Sequence, residues 1–326
     1  MAKIGITMGD CAGIGPEIIL KALRKEEFDQ DDFVIYGDRK VFEKINEMFG
    51  FFPEGMDSLE FKDLDLISRS LEFGIIDAEY GKVAGKYIEE AITDAQEGKI
   101  DAIVTGPIHK KAFQLGGYGK KYPGHTEMLA ALTQTRDYSM MLAYENLRVI
   151  HVTAHVSLRK AIDMITQERV YKAIKLGYET CKRLKIENIR IAVAGLNPHA
   201  GDFGLFGEED EKEIEPAVIK ARENFGCVVD GPVPPDTVFS KAYGGMYDMV
   251  IAMYHDQGHI PMKTLGFKYN NVKQNWDEVR GVNVTLGLPI IRSAVDHGTA
   301  FGKAGKGTAS EESMIDAIRY AMLLAN

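Results

Sequence analysis

Cysteine is scarce in this chain. Only Cys11, Cys181 and Cys227 occur in 326 residues, an odd number with no Cys-x-x-Cys pair. A disulfide framework is therefore not expected, and the pattern points to reduced thiols in a cytoplasm. No apolar run approaches the ~20 residues that span a bilayer. The opening Met1-Ala2-Lys3-Ile4-Gly5 runs straight into strand-like sequence without the marks of a signal peptide. The expectation is a soluble cytoplasmic protein with no membrane partner. An excess of positive charge is missing too: 39 Lys and Arg stand against 48 Asp and Glu, a net charge of -9. Proteins that track phosphate backbones are usually basic, so nucleic acid is not the expected partner. An anionic small molecule stays within reach, because a local cluster of Lys and Arg holds one phosphate against a negative global field. Also absent are internal repeats, low-complexity stretches, a G-x-G-x-x-G after a strand and a G-x-x-x-x-G-K-[ST]. A Rossmann dinucleotide site and a P-loop are both disfavoured.

What is present reads as an α/β protein. At ~150 residues per domain the length suggests about two domains, with cores large enough to need no disulfide or structural metal. Short apolar runs at Lys3–Met8, Phe33–Tyr36, Ala102–Thr105, Arg148–Thr153, Ile189–Ala194 and Met249–Met253 lack polar alternation. Strands buried on both faces of a parallel sheet have that character. Helical periods intervene. Val170, Ala173, Ile174, Gly177, Tyr178, Cys181 and Leu184 share one face, which places Cys181 in a core rather than in a reaction. A last helix is expected after Ser310 as its cap, with Met314, Ile315, Ile318 and Met322 on one side. Alternation of this kind gives a largely parallel sheet, whose ligands bind at the carboxyl ends of the strands.

Three of the eight histidines follow such strand ends. His155 stands in His151-Val-Thr-Ala-His155, His199 in Gly195-Leu-Asn-Pro-His-Ala-Gly201, and His255 in Met253-Tyr-His-Asp-Gln-Gly258. One histidine at such a place most often satisfies a loop backbone. Three at equivalent positions, each beside Gly, Pro, Asn or Asp, form the pattern of a catalytic metal site with open coordination. Imidazoles suit Zn, Co, Ni or Fe better than Mg, unless carboxylates take part. His151 lies inside a strand and reads as structural. His259 is four residues past His255, but Gly258 and Pro261 argue against a helix there, so it reads as a pocket or loop residue. Asp256 and Asp236 either orient a ligand imidazole or assist proton movement. For Asp236, in the loop Pro234-Pro-Asp-Thr237, a plain turn aspartate fits equally well.

Tyr122-Pro-Gly-His-Thr-Glu127 offers His125, Thr126 and backbone amides at a helix start, an anion site of modest specificity. Lys263, Asn283 and Arg292 flank the last histidine loop and supply charge-assisted bonds to phosphate or carboxylate.

The segments Met8-Gly-Asp-Cys-Ala-Gly-Ile-Gly-Pro-Glu17, Thr105-Gly-Pro-Ile-His-Lys110, Pro123-Gly-His-Thr-Glu127, Asn197-Pro-His-Ala-Gly201, Tyr254-His-Asp-Gln-Gly258, Val282-Asn-Val-Thr-Leu-Gly-Leu-Pro289 and Asp296-His-Gly-Thr-Ala300 carry a resemblance over essentially the whole chain. The sequence resembles the 4-hydroxythreonine-4-phosphate dehydrogenase family, within the isocitrate and isopropylmalate dehydrogenase-like superfamily. The resemblance implies two α/β/α domains around a cleft without a Rossmann fingerprint. The expected division is residues 1–125 with 286–326, and residues 126–285 carrying the metal ligands and dimer interface. It implies His155, His199 and His255 as ligands of one divalent metal (Zn, Co, Mn or Mg), drawn from both subunits of a homodimer. It assigns substrate binding to His125, Thr126, Lys263, Asn283 and Arg292, and the NAD or NADP loop to His297, Gly298, Thr299 and Ala300. Lys263, Asp236 and Asp256 are the expected catalytic groups. The implied reaction is oxidation and decarboxylation of a 4-phosphorylated four-carbon hydroxy acid. Two departures, the longer link Lys268–Arg280 and His259 in place of an apolar residue, resemble a catabolic branch acting on 4-phospho-D-threonate or 4-phospho-D-erythronate. The alternatives are a phosphate acyltransferase of similar fold, needing neither the histidines nor NAD, and a non-catalytic phospho-acid binding protein.

Overall fold

The computed structural model describes residues 2–272 and 275–326. The strands are β1 (Ile4–Thr7), β2 (Phe33–Gly37), β3 (Phe61–Asp63) and β4 (Ala102–Thr105). They continue as β5 (Ser139–Tyr144), β6 (Leu147–His151), β7 (Arg190–Ala194), β8 (Val228–Val233) and β9 (Met249–Ala252). The last are β10 (Phe267–Asn270), β11 (Asn275–Val279), β12 (Val282–Leu286) and β13 (Ile291–Val295). The chain divides into two compact units, one of residues 1–136, 278–282 and 288–326, the other of residues 137–277 and 283–287.

The first unit carries the strand order β3-β2-β1-β4-β13, parallel throughout. Its strands β1, β2 and β4 are buried at every position, which explains their unbroken apolar sequence. Two buried tyrosines satisfy their hydroxyls on acids: Tyr36 on Asp94 at 3.0 Å and Tyr87 on Asp38 at 2.9 Å. Helix Ala78–Gln96, capped by the Asp77 side chain, packs closely on helix Lys110–Leu115. A Cβ on Gly81 would overlap the Ala112 carbonyl.

The second unit carries the order β12-β5-β6-β9-β7-β8. β5 is antiparallel to β6, whereas β6, β9, β7 and β8 run parallel, so β6, β7 and β9 end on one edge. Their core joins Leu147, Val149, Ala192, Val250 and Met262. Cys181 is fully buried on helix Gln167–Arg183, as its spacing indicates. Among the described residues no helix is long and apolar enough to cross a membrane.

Several expectations need correction. Residues 255–266 form a helix despite Pro261, because its first turn is docked by Gln257: tertiary bonds outweigh the ~3 kcal/mol that an interior proline costs. Asp236 stands in the first turn of helix Pro235–Tyr243 rather than in a loop, a place that suits an acid beside the helix dipole. The last helix starts at Glu312 with Glu311 at the cap position, and Ser310 Oγ reaches the Glu312 amide only at 3.4 Å. The link Lys268–Arg280 contains most of β10 and all of β11; its residues Lys273 and Gln274 lie outside the described ones.

Gly81→Ala forces the two helices apart and is expected to cost about 1–3 kcal/mol of stability. Urea unfolding measures this, and an unchanged midpoint would show that the contact has room to give.

Candidate active site

The three strand-end histidines share one edge of the second unit. His155 follows β6, His199 follows β7 in the 3-10 turn Pro198–Gly201, and His255 opens helix His255–Gly266 after β9. His155 has φ 30° and His199 φ 54°, both in the left-handed region that non-glycine residues rarely adopt. Strain of that kind collects where a side chain must point in one direction for function. The rings of His155 and His255 lie 5.6 Å apart. His255 Nδ1 donates to Asp256 Oδ1 at 2.7 Å, which leaves Nε2 with the lone pair. His199 packs near Phe206 at 6.2 Å, and among the described residues no group of three or more His, Cys, Asp or Glu within the chain is placed to hold a metal.

Two buried side chains with no catalytic chemistry of their own hold this edge. Gln257 accepts from the Met253 amide at 2.6 Å and donates to the Gly195 carbonyl at 2.8 Å. Asp210 accepts from the amides of Leu196 and Asn197 at 2.8 and 3.0 Å and from the Asn197 side chain at 3.0 Å. Sequence reasoning passed over both, since a buried amide or acid has no local signature. The same turn ends in a tip of bare apolar residues: Phe203 is 102% exposed and Leu205 71%.

The other second-unit candidates are Lys263 and Asn283. Lys263 Nζ lies over the Phe267 ring at 4.8 Å. Asn283 on β12 donates to Met140 Sδ at 2.9 Å, while its buried Oδ1 lacks a protein partner.

In the first unit Arg292 on β13 is buried and donates from Nη2 to Thr105 Oγ1 at 2.7 Å. Burial pulls its pKa down to about 10, against the opposing pull of Glu127, so it remains a cation at neutral pH. His125 opens helix His125–Leu132 after Gly124, with Thr126 next. Burial, and then the Arg292 charge, hold the His125 imidazole well below its usual range. Its Nε2 is sealed from solvent without a protein partner.

The His297–Ala300 segment also lies in the first unit, braced by the early glycine-rich segment. The Ile14 amide donates to the Thr299 carbonyl at 3.0 Å, and a Cβ on Gly13 would come within 2.8 Å of Thr299. The buried pair Glu17–Lys21, at 2.8 Å, continues the brace. Lys21 donates to the carbonyls of Gly307 and Ala309 at 2.9 and 2.7 Å, and Glu17 accepts from the Ala309 amide at 2.8 Å. Phe301 stacks on His109 at 4.7 Å. A Cβ on Gly298 would meet no atom within 4 Å.

Residues 29–321 match the family described as "Pyridoxal phosphate biosynthetic protein PdxA". The chain belongs to the PdxA family. Curated relatives are the D-threonate 4-phosphate dehydrogenases of Cupriavidus necator, 45% identical, and of Salmonella typhimurium, 43% identical. These alignments cover 99% of this chain and 97% and 98% of the relatives. Among solved structures, the 4-hydroxythreonine-4-phosphate dehydrogenase of Klebsiella pneumoniae is 42% identical, with a TM-score of 0.84 over 100% of both chains. Isocitrate dehydrogenase from Methylococcus capsulatus, at 16% identity and a TM-score of 0.51, shares the fold alone. This PdxA-family chain is an oxidoreductase of the dehydrogenase type.

Asp10, in the family's opening segment, is fully buried, with Oδ1 accepting from the Ala12 amide at 3.0 Å and Oδ2 lacking a partner. Burial raises its pKa from 3.8 to about 6. A carboxyl raised on folding stabilises the fold below its unfolded value and loses that contribution as pH climbs through the folded value. Between pH 4 and 7 the wild type should lose up to about 3 kcal/mol more stability than Asp10→Asn. Urea unfolding at both pH values tests this, and parallel behaviour of the two proteins would show that Asp10 does not titrate there.

Proposed function

We propose that the chain oxidises and decarboxylates D-threonate 4-phosphate, or its erythronate counterpart, with NAD or NADP and one divalent metal. The observation that carries this reading is the strained histidine set at the ends of β6, β7 and β9, with His155 and His255 side by side. The names of the relatives support the substrate class and favour the sugar acid over 4-phosphohydroxy-L-threonine.

A divalent ion held by His155, His199 and His255 would supply the positive charge that favours ionisation of the substrate hydroxyl. The nicotinamide would supply the hydride acceptor. The chain's own residues do the rest. Asp256 keeps His255 in the tautomer whose Nε2 can coordinate. Arg292 is a fixed cation for phosphate or carboxylate, and its bond to Thr105 sets the direction of the guanidinium. His125, held neutral, meets the ligand through Nε2, and Thr126 adds a hydroxyl and the amides of the helix start. In the second unit Lys263 and Asn283 offer polar contacts to substrate, with Lys263 and Asp236 the groups assigned to proton movement. Fixing the phosphate or carboxylate of a small acid on such groups is an effective-molarity contribution.

A homodimer completes the metal set in this reading. The exposed tip Phe203, Leu205 and Phe206 beside His199 is the apolar surface such an interface would cover.

Two experiments test the function. Purified protein with Zn, Co, Mn or Mg should form NADH or NADPH from 4-phospho-D-threonate or 4-phospho-D-erythronate in preference to 4-phosphohydroxy-L-threonine. Reduced nucleotide from none of them, under any metal, sinks the assignment. His199→Ala should abolish metal-dependent turnover while the metal-free melting temperature stays within a few degrees; full activity in that variant would remove His199 from the site.

A further inference from the structure

The start of helix His255–Gly266 is more ordered than a pair of ligands requires. Three imidazoles from β6 and this helix pack in series. His151 and His259 lie 4.7 Å apart at 41°, and His259 and His255 lie face to face at 3.6 Å and 10°. Each ring also directs Nδ1 at an oxygen: His151 at the Met140 carbonyl (3.3 Å), His259 at the His255 carbonyl (2.9 Å) and His255 at Asp256 Oδ1 (2.7 Å). A ring that donates from Nδ1 carries its lone pair on Nε2, so all three sit in one tautomer.

The series has a closed end and an open end. His151 and His259 are 3% and 8% exposed, whereas the His255 side chain is 37% exposed. His151 Nε2 abuts Gly258, where a Cβ would collide with it, so the helix can sit on this ring only because residue 258 lacks a side chain. Asp256, with a side chain 72% exposed, makes a solvent-screened bond that is a weak restraint by itself.

We propose that His259 is a positioning residue for His255: wedged between His151 and His255, its imidazole fixes the plane of the His255 ring with Nε2 available to the metal. The proposal rests on the reading of His255 as a ligand. It agrees with the helix through residues 255–266, whose spacing sets residues four apart on one face. It also gives the buried His151 a purpose, as the floor on which His259 rests.

The test is cobalt affinity of the full-length protein, by competition with a chromophoric chelator, together with the cobalt absorption spectrum. His259→Ala should weaken cobalt binding about 10-fold or more and alter the spectrum. His259→Phe keeps a flat ring and should recover most of the affinity, whereas His259→Leu, of similar bulk without a ring face, should not. Metal-free melting temperatures of the Phe and Leu variants should agree, which separates ring stacking from general packing. Equal cobalt affinity in the Phe and Leu variants overturns the proposal, and this comparison decides the matter if the Ala variant fails to fold. His255→Ala is the control. If it loses cobalt while His259→Ala binds like wild type, the positioning role is wrong and the ligand reading stands. If His255→Ala also binds like wild type, the ligand reading falls and the proposal with it.

Discussion

The strand-end site depends on one buried carboxamide. Gln257 joins the exit of β9 to the first turn of the helix that follows it, and the exit of β7 to that same turn. Both ends of the amide are satisfied, which makes it a rigid brace; a half-satisfied amide at this depth would be a liability. Through it the loops of His199 and His255 share one reference point, although they lie more than fifty residues apart in sequence. Asp210 does the same work from the far side of the His199 turn, gathering the amides that a tight left-handed turn leaves open.

The two units offer opposite chemistry. The second presents the ring nitrogens of His155, His199 and His255, lone-pair donors that in the proposed function hold a cation. The first presents Arg292, a buried cation kept charged, beside a histidine kept neutral, and so attracts an anion. Within the first unit burial acts on both side chains through the same desolvation cost. It discharges an imidazole, whose ordinary pKa lies close to neutrality, and leaves a guanidinium charged because its own lies far above. One physical cause thus leaves a neutral histidine and a charged arginine in the same unit.

Much of this was legible in sequence. The strands of the central layers are short and apolar on both faces, and β4 was bounded to the residue. The strand-end rule placed three histidines on one edge because it depends on chain direction alone. The helix at residue 255 was not legible. Local propensity speaks against Gly258 and Pro261, and the Gln257 bonds and His151 floor that overrule it are long-range contacts. β8, β12 and β13 also escaped, being less uniformly apolar: β8 has three half-buried positions and β12 carries Asn283. Arg292 reads as a ligand-binding cation, but its depth was not legible: it is almost wholly enclosed. Charge pattern in a sequence says nothing of depth.

The bare tip at Phe203, Leu205 and Phe206 has a consequence for handling as well as for assembly. If a second copy covers it, association and folding become linked by mass action. Melting temperature would then rise with protein concentration, and dilution alone would loosen the turn that carries His199. An assay run at nanomolar enzyme and a crystal grown at millimolar protein would sample two differently organised sites.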